Sequence, residues 1–242
     1  MTLLAPVLFA ASALAAAQAP QPPPALPPLP PSVYVAPTDI ALKSALSPWP
    51  AEGSAADRAD IETARMVDKL RTQDMVDAAN RFAALSPELW FQEITGNQDA
   101  LKAAPKTRAL FAALQSDMRG INRAANAIHP WRKRPADRDI GITPSLPRGQ
   151  FATSSYPSAN ASMVLVWAEV TKRLLPTKVH TIREKADTIA WLRVVGGMHF
   201  PSDVVGSREV AKEAVTTLNR SPAWQRALTD ASAEWLAGQR QP

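Results

Sequence analysis

The chain has 242 residues, 27 Lys and Arg against 22 Asp and Glu, and a formal net charge of +5. Apolar residues make up 46% of it, enough for one sizeable core, and the only tight basic cluster, Arg132-Lys133-Arg134, lacks the aromatic interleaving that nucleic-acid binders use. The absence of cysteine excludes disulfide scaffolds and thiolate metal sites, and three histidines (His129, His180, His199) without paired spacing exclude a multi-histidine zinc site.

Residues 1–17 carry no charge and end in the small triplet Ala15-Ala16-Ala17. Although no Lys or Arg precedes it, the stretch reads as a cleavable signal peptide, shorter than the roughly 20 apolar residues a membrane span needs. The expected location is therefore periplasmic or secreted, with no membrane span in the mature chain. Residues 18–38 follow as a proline-rich linker: nine of the 23 prolines lie between Gln18 and Pro37, which favours an extended polyproline-like spacer.

The remainder, 39–242, reads as one helical domain. Ser54 caps a helix over Ala55–Arg71, Thr72 caps a second, and Ser86-Pro87-Glu88 opens a third. Pro105 opens a long fourth helix to about Ile128, with Leu110, Phe111, Leu114, Met118 and Ile121 at helical period. Residues 131–156 are irregular and too long for a mere connector, which points to function. Helices are then expected over 158–175, 181–195, 202–219 and 222–238, the second started by a Thr181/Glu184 capping box. No strand pattern or internal repeat occurs, so the fold class is all-α.

The chemistry concentrates in Leu192–Asp203. Gly196-Gly197 ends one helix and Pro201 suits the first turn of the next, which sets His199 at a helix N-terminus where anions are favoured. Asp203, one turn on, can bond one imidazole nitrogen and free the other, and Arg193 offers a planar fork for phosphate oxygens. Two further stretches join it: Arg132-Lys133-Arg134-Pro135, and Ser154-Ser155-Tyr156-Pro157-Ser158-Ala159-Asn160 at another helix start. Taken singly, these also read as a solvated basic turn and an ordinary capping serine. Trp131 and Tyr156 are candidates to wall the site, and His180 reads as a surface residue.

The order Arg-Pro, Ser-Tyr-Pro-Ser, Arg-x5-His-x3-Asp resembles the three-part signature of the type-2 phosphatidic-acid-phosphatase-like superfamily. Within it, the chain looks like the class A bacterial non-specific acid phosphatases over residues 50–236, including Pro50-Ala51-Glu52-Gly53-Ser54 and Val194-Val195-Gly196-Gly197-Met198-His199-Phe200-Pro201-Ser202-Asp203. The resemblance implies the helical bundle shared with vanadium haloperoxidases, and phosphomonoester hydrolysis through a phosphohistidine. It implies His199 as nucleophile, Asp203 as its orienting partner, and Arg134, Arg193, Ser158 and the Gly197 N–H as phosphate binders. No metal or cofactor is implied. The expected partner is a small phosphorylated substrate or inorganic phosphate, not nucleic acid, and a homo-oligomer is compatible with the pattern.

The chain departs from that pattern at three positions. Ala127 stands where the family has a lysine, with Lys133 the nearest substitute, and Leu192 stands where it has a serine. Asn160 stands where it has the histidine that protonates the leaving group, and an amide cannot transfer a proton at neutral pH. His129 is the candidate replacement acid. The expected function is an exported phosphatase with weakened acid catalysis. The alternative is a non-catalytic descendant that binds phosphate or a phosphorylated ligand, and a haloperoxidase-like use of vanadate is suggested by fold analogy alone.

Overall fold

Helices begin where capping side chains and prolines dictate in the computed structural model, which describes residues 28–138, 140–146 and 153–238. A short α1 (Leu42–Ala45) precedes α2 (Ala55–Leu70), whose cap Ser54 accepts the Asp57 N–H at 3.1 Å. Thr72 caps α3 (Gln73–Arg81), and Ser86 with Pro87 opens α4 (Pro87–Thr95). The series continues with α5 (Pro105–Asn126), α6 (Ala159–Leu174), α7 (Val179–Val195), α8 (Pro201–Leu218) and α9 (Pro222–Gly238). Among the described residues there is no strand, so the chain is all-α, as its periodicity implies. No helix among them is long and apolar enough to cross a membrane. The expected signal peptide, residues 1–17, lies outside the described residues.

Two starts differ from the sequence reading. The four residues of α1 are too few to show a period, although Leu42 and the following Leu46 are buried. Helix α7 begins at Val179 because the 3-10 turn Pro176–Lys178 runs straight into it, so Thr181 and Glu184 lie inside the helix rather than boxing its start.

The core is built around α6, which is apolar on nearly all sides and therefore central. Ten of its 16 residues are buried, and α5, α7, α8 and α9 pack around it. The α5 stripe Leu110, Phe111, Leu114, Met118 and Ile121 is fully buried, each side chain contributing about 1.5–3 kcal/mol of transfer free energy. On α8, the buried small residues Gly206, Ser207, Ala211 and Ala214 permit close approach.

The end of the proline-rich stretch docks on α5. The N–H groups of Val33, Tyr34 and Val35 all donate to the buried Asp117 carboxylate, at 2.7, 2.8 and 3.1 Å. That satisfies one buried charge with three backbone donors and fixes the strap in place.

The start of α6, the end of α7 and the start of α8 meet at one end of the bundle. The Ser158 N–H donates to the Asp203 carbonyl at 3.2 Å, and the Ser207 hydroxyl donates to the Ser158 carbonyl at 2.9 Å. This junction brings Ser158, Arg193, His199 and Asp203 together.

Candidate active site

The α7–α8 turn is closed by Arg193. Its carbonyl accepts the N–H groups of Met198 and His199 at 3.1 and 3.2 Å, so arginine and histidine are locked into one turn. Gly197 makes the turn possible: its φ is +67°, and a Cβ there would meet Ile142 at 3.0 Å and Thr143 O at 3.2 Å. The loop 142–145 lies directly on the glycine pair, with the Ser145 N–H donating to the Gly196 carbonyl at 2.8 Å. Pro201 is the first residue of α8, and the Asp203 carboxylate accepts the Phe200 N–H at 2.8 Å, capping the helix that follows His199.

His199 is almost entirely buried. Its Nδ1 lies 2.8 Å from the Ser155 carbonyl and 3.4 Å from Asp203 Oδ2, while its Nε2 lies 3.1 Å from Arg134 Nη1. A guanidinium only donates and a carbonyl only accepts. The neutral ring therefore carries its proton on Nδ1, and its Nε2 lone pair faces Arg134. Burial, with the charge of Arg134 beside it, holds the imidazole down to about 4 despite the opposing pull of Asp203. The sequence reading gave the orienting role to Asp203; the shorter of the two bonds comes from the Ser155 backbone carbonyl, and Asp203 supports it from farther away.

Asp203 is fully buried and is anchored chiefly elsewhere. Its Oδ1 accepts from Arg132 Nη1 at 2.6 Å, and its Oδ2 accepts from the Ser155 hydroxyl at 2.5 Å. Burial by itself would raise this carboxyl; the bonds from His199 and Ser155 and the charge of Arg132 outweigh it and hold the group below the usual carboxylate range. Arg132 also donates to Ser202 Oγ at 2.6 Å and to Asp60 Oδ2 at 2.7 Å, with its guanidinium 4.4 Å from the Phe200 ring centroid. Asp60 in turn accepts the Ser202 N–H and hydroxyl.

Arg132, Asp60, Ser202 and Ser155 were not singled out by the sequence. A signal was there: in an extended segment, residues 132 and 134 share one side and 133 faces the other. Arg132 and Arg134 are indeed buried, and Lys133, the expected lysine substitute, is exposed.

Arg134 and Arg193 are the buried cations nearest the imidazole. Arg134 donates to the Met198 carbonyl at 3.0 Å and to Thr153 Oγ1 at 3.2 Å. Burial lowers its guanidinium to about 10 against the raising influence of Asp203 and Asp137. Arg193 is 4% exposed, and its Nε has no hydrogen-bond partner among the described residues. Burial, reinforced by the like charge of Arg134, lowers it to about 10 as well, so both remain charged at neutral pH. Ser158 occupies the N-cap position of α6, yet its buried hydroxyl makes no capping bond and has no partner among the described residues. A buried cation and a buried hydroxyl without partners are costly unless an anion comes to them.

The other expected residues fall outside this cluster or are already engaged. The Gly197 N–H donates to the Val194 carbonyl at 2.9 Å, the usual way a helix end satisfies its last carbonyls, so it is not free for a phosphoryl oxygen. His129 Nε2 is engaged with the Leu46 carbonyl at 2.9 Å, and its ring lies 6.1 Å from that of Tyr156. Trp131 is 54% exposed and walls nothing. His180 is exposed. Ala127 is the exposed C-cap of α5. Asn160 is half-buried, donates to the Ala83 carbonyl at 2.9 Å and lines a cavity of about 480 Å³ that Thr153 also borders.

No family model matches the chain. Over 81 residues it is 33% identical to a non-specific acid phosphatase of Providencia stuartii, a match that covers 34% of this chain and 33% of the relative. The chain therefore spans about a third of the length of that relative, and the likeness over that span is to a phosphatase.

Proposed function

We propose that this chain is an exported phosphomonoester hydrolase of the class A acid phosphatase kind, working through a phosphohistidine on His199. The carrying observation is the charge arrangement: Arg193 is buried with an unpartnered Nε beside Arg134, next to a neutral imidazole whose Nε2 lone pair points at that second guanidinium. Such a site favours a dianion and presents it to a nucleophile. The acid phosphatase likeness supports the reaction class.

The geometry divides the work. A phosphoryl group entering between Arg134 and His199 takes the Arg134 N–H away from Nε2 and leaves that lone pair aimed at phosphorus. Arg193 and the Ser158 hydroxyl bind the equatorial oxygens, whose charge is stabilised by fixed donors rather than by solvent. As the P–N bond forms, the ring becomes cationic; the Ser155 carbonyl and Asp203 stabilise the Nδ1–H, and Arg132 holds Asp203 in place. Water then attacks phosphorus and releases phosphate. Asn160 hydrogen-bonds but delivers no proton, so esters with good leaving groups are preferred; a general acid is worth about 10²–10⁴-fold. Export rests on residues 1–17.

The test is hydrolysis of an aryl phosphate and an alkyl phosphate by the mature chain, with His199→Ala as control. Aryl turnover abolished by the substitution, with the alkyl ester at least about 10²-fold slower, is expected. Aryl turnover that survives His199→Ala overturns the reading. One observation favours a second reading, a phosphate-binding descendant without activity: the Asn160 amide is tied to Ala83 O and offers no acid. Phosphate binding without turnover of either ester would select it.

A further inference from the structure

Asp203 lies 3.4 Å from His199 Nδ1, but Arg132 Nη1 lies closer to it, at 2.6 Å. A carboxylate whose charge is drawn wholly onto a buried guanidinium has less to offer an imidazole that turns cationic. The group that balances Arg132 on its far side therefore decides how much of Asp203 the ring feels. That group is Asp60, on α2, whose Oδ2 accepts from Arg132 Nη2 at 2.7 Å. Asp57 lies 3.9 Å from the same nitrogen, but its two oxygens accept from Arg138 at 2.5 and 3.0 Å. Arg132 is fully buried and lies against the rings of Trp49 and Phe200, 5.3 and 4.4 Å from their centroids, so solvent screens these pairs weakly.

Asp60 also seats the helix that carries Asp203. It accepts the Ser202 N–H at 3.1 Å, in the first turn of α8, and the Ser202 hydroxyl as well. A carboxylate there complements the positive end of the helix dipole. Arg132 is tied to the second support of His199 too. Its carbonyl accepts the Ser155 N–H at 2.9 Å, and the Ser155 carbonyl in turn holds His199 Nδ1.

We infer that Asp60 is a positioning residue: it neutralises Arg132 and so leaves the Asp203 charge to stabilise the imidazole as the phosphohistidine forms. The inference rests on the phosphohistidine reading and adds to it a group on α2, apart from the reacting atoms. In the first step His199 Nε2 bonds to phosphorus, and the ester oxygen leaves with the electron pair of the bond that breaks. The ring keeps its Nδ1 proton and becomes cationic. In the second step water attacks phosphorus and the P–N pair returns to Nε2. The water oxygen stays on phosphorus as hydrogenphosphate, and the surplus proton goes to solvent. Asp60 transfers no proton in either step.

Removing its charge moves two quantities in different directions. In Asp60→Asn, Arg132 draws on Asp203 alone, so the cationic ring is less stabilised and phosphoryl transfer slows. The same change takes a negative charge away from a site that binds a dianion through Arg134, Arg193 and Ser158, so phosphate binds as tightly or more tightly.

The experiment measures single-turnover labelling by an aryl phosphate carrying a radioactive phosphoryl group, and inorganic phosphate binding by calorimetry. The proteins are the mature chain, Asp60→Asn and Asp60→Glu. Expected is a labelling rate that falls about tenfold or more in the asparagine variant, the effect of about one pKa unit on the ring. It falls by less in the glutamate variant, which keeps the charge, and the phosphate Kd of the asparagine variant is unchanged or lower. Single-turnover rates report folded sites only, so partial loss of folded protein does not enter. If Asp60→Asn does not fold, slower labelling with phosphate affinity retained in Asp60→Glu is the expected result. Labelling at the parental rate, or labelling and phosphate affinity that fall in step, overturns the positioning role alone. Aryl turnover by the unmodified chain without label on His199, or no turnover at all, overturns the phosphohistidine reading and this role with it.

Discussion

The two sides of the site are built differently. On the nucleophile side the imidazole and its supports are fixed: His199 between the Ser155 carbonyl and Arg134, Asp203 held by Arg132, and Arg132 held by Asp60 and Ser202. On the leaving-group side Asn160 bonds the Ala83 backbone carbonyl, and Ala127 contributes no charge. Under the proposed phosphohistidine reading, phosphoryl capture and leaving-group activation are separable: the first keeps its charge arrangement while the second lacks a proton donor at Asn160.

The sharpest way to break the comparison is to remove the unpartnered buried cation. Arg193→Ala should cost about 10²–10³-fold in kcat/KM on an aryl phosphate, as loss of a preorganised charge stabiliser does. The companion variant Arg193→Met should raise the melting temperature of the unliganded protein, since it relieves a buried unpaired charge, and should abolish stabilisation by phosphate. Thermal scans with and without phosphate read both.

Acid pH acts on the same side. The folded His199 imidazole lies near 4 and an unfolded one near 6.5. Its contribution to stability is thus fully present above about pH 6.5 and is lost as pH falls toward 4, because the unfolded chain takes up the proton first. The loss is on the order of 3 kcal/mol, and His199→Gln should remove it. Melting curves of the two proteins from pH 7 to 4 would show the parent falling more steeply. By the same sign, kcat/KM should persist well below pH 6.5, because the nucleophile stays unprotonated there.

On the leaving-group side, Asn160→His should raise the alkyl-to-aryl ratio of kcat/KM by about tenfold or more, by returning a group that can transfer a proton. A ratio that does not move would mean that position 160 lies out of reach of the ester oxygen. The smallest expected effect tests the scaffold both sides share. Gly206 lies against the Tyr156 ring with no room for a Cβ, so Gly206→Ala should destabilise by about 1–3 kcal/mol without a specific loss of either activity. Denaturant unfolding would measure it.

Most of the fold is legible in the sequence because helix starts are local chemistry. Ser54, Thr72, Ser86-Pro87 and Pro105 mark them, and the α5 stripe keeps helical period over about three turns. What escaped is non-local or silent. The docking of residues 33–35 depends on one aspartate more than 80 residues away, and α1 is shorter than any period. The site divides along the same line. Arg193, His199 and Asp203 lie within eleven residues and could be read as one turn–helix junction. The Arg132 network joins partners about 70 residues apart, foreshadowed only by the alternation of Arg132, Lys133 and Arg134 and by the Asp57/Asp60 pair on one face of α2. The shortest His199 contact is with a backbone carbonyl, which no residue type announces. His129 drew attention by its position in sequence; its contact with the Leu46 carbonyl, 83 residues away, is one that position does not announce.

The most direct measurement is rapid-quench labelling of the mature chain with an aryl phosphate carrying a radioactive phosphoryl group. Covalent label that survives alkali, is released by acid, maps to His199 and is absent from His199→Ala is the expected result. Steady aryl turnover with no labelled protein at any quench time would contradict a phosphohistidine on His199.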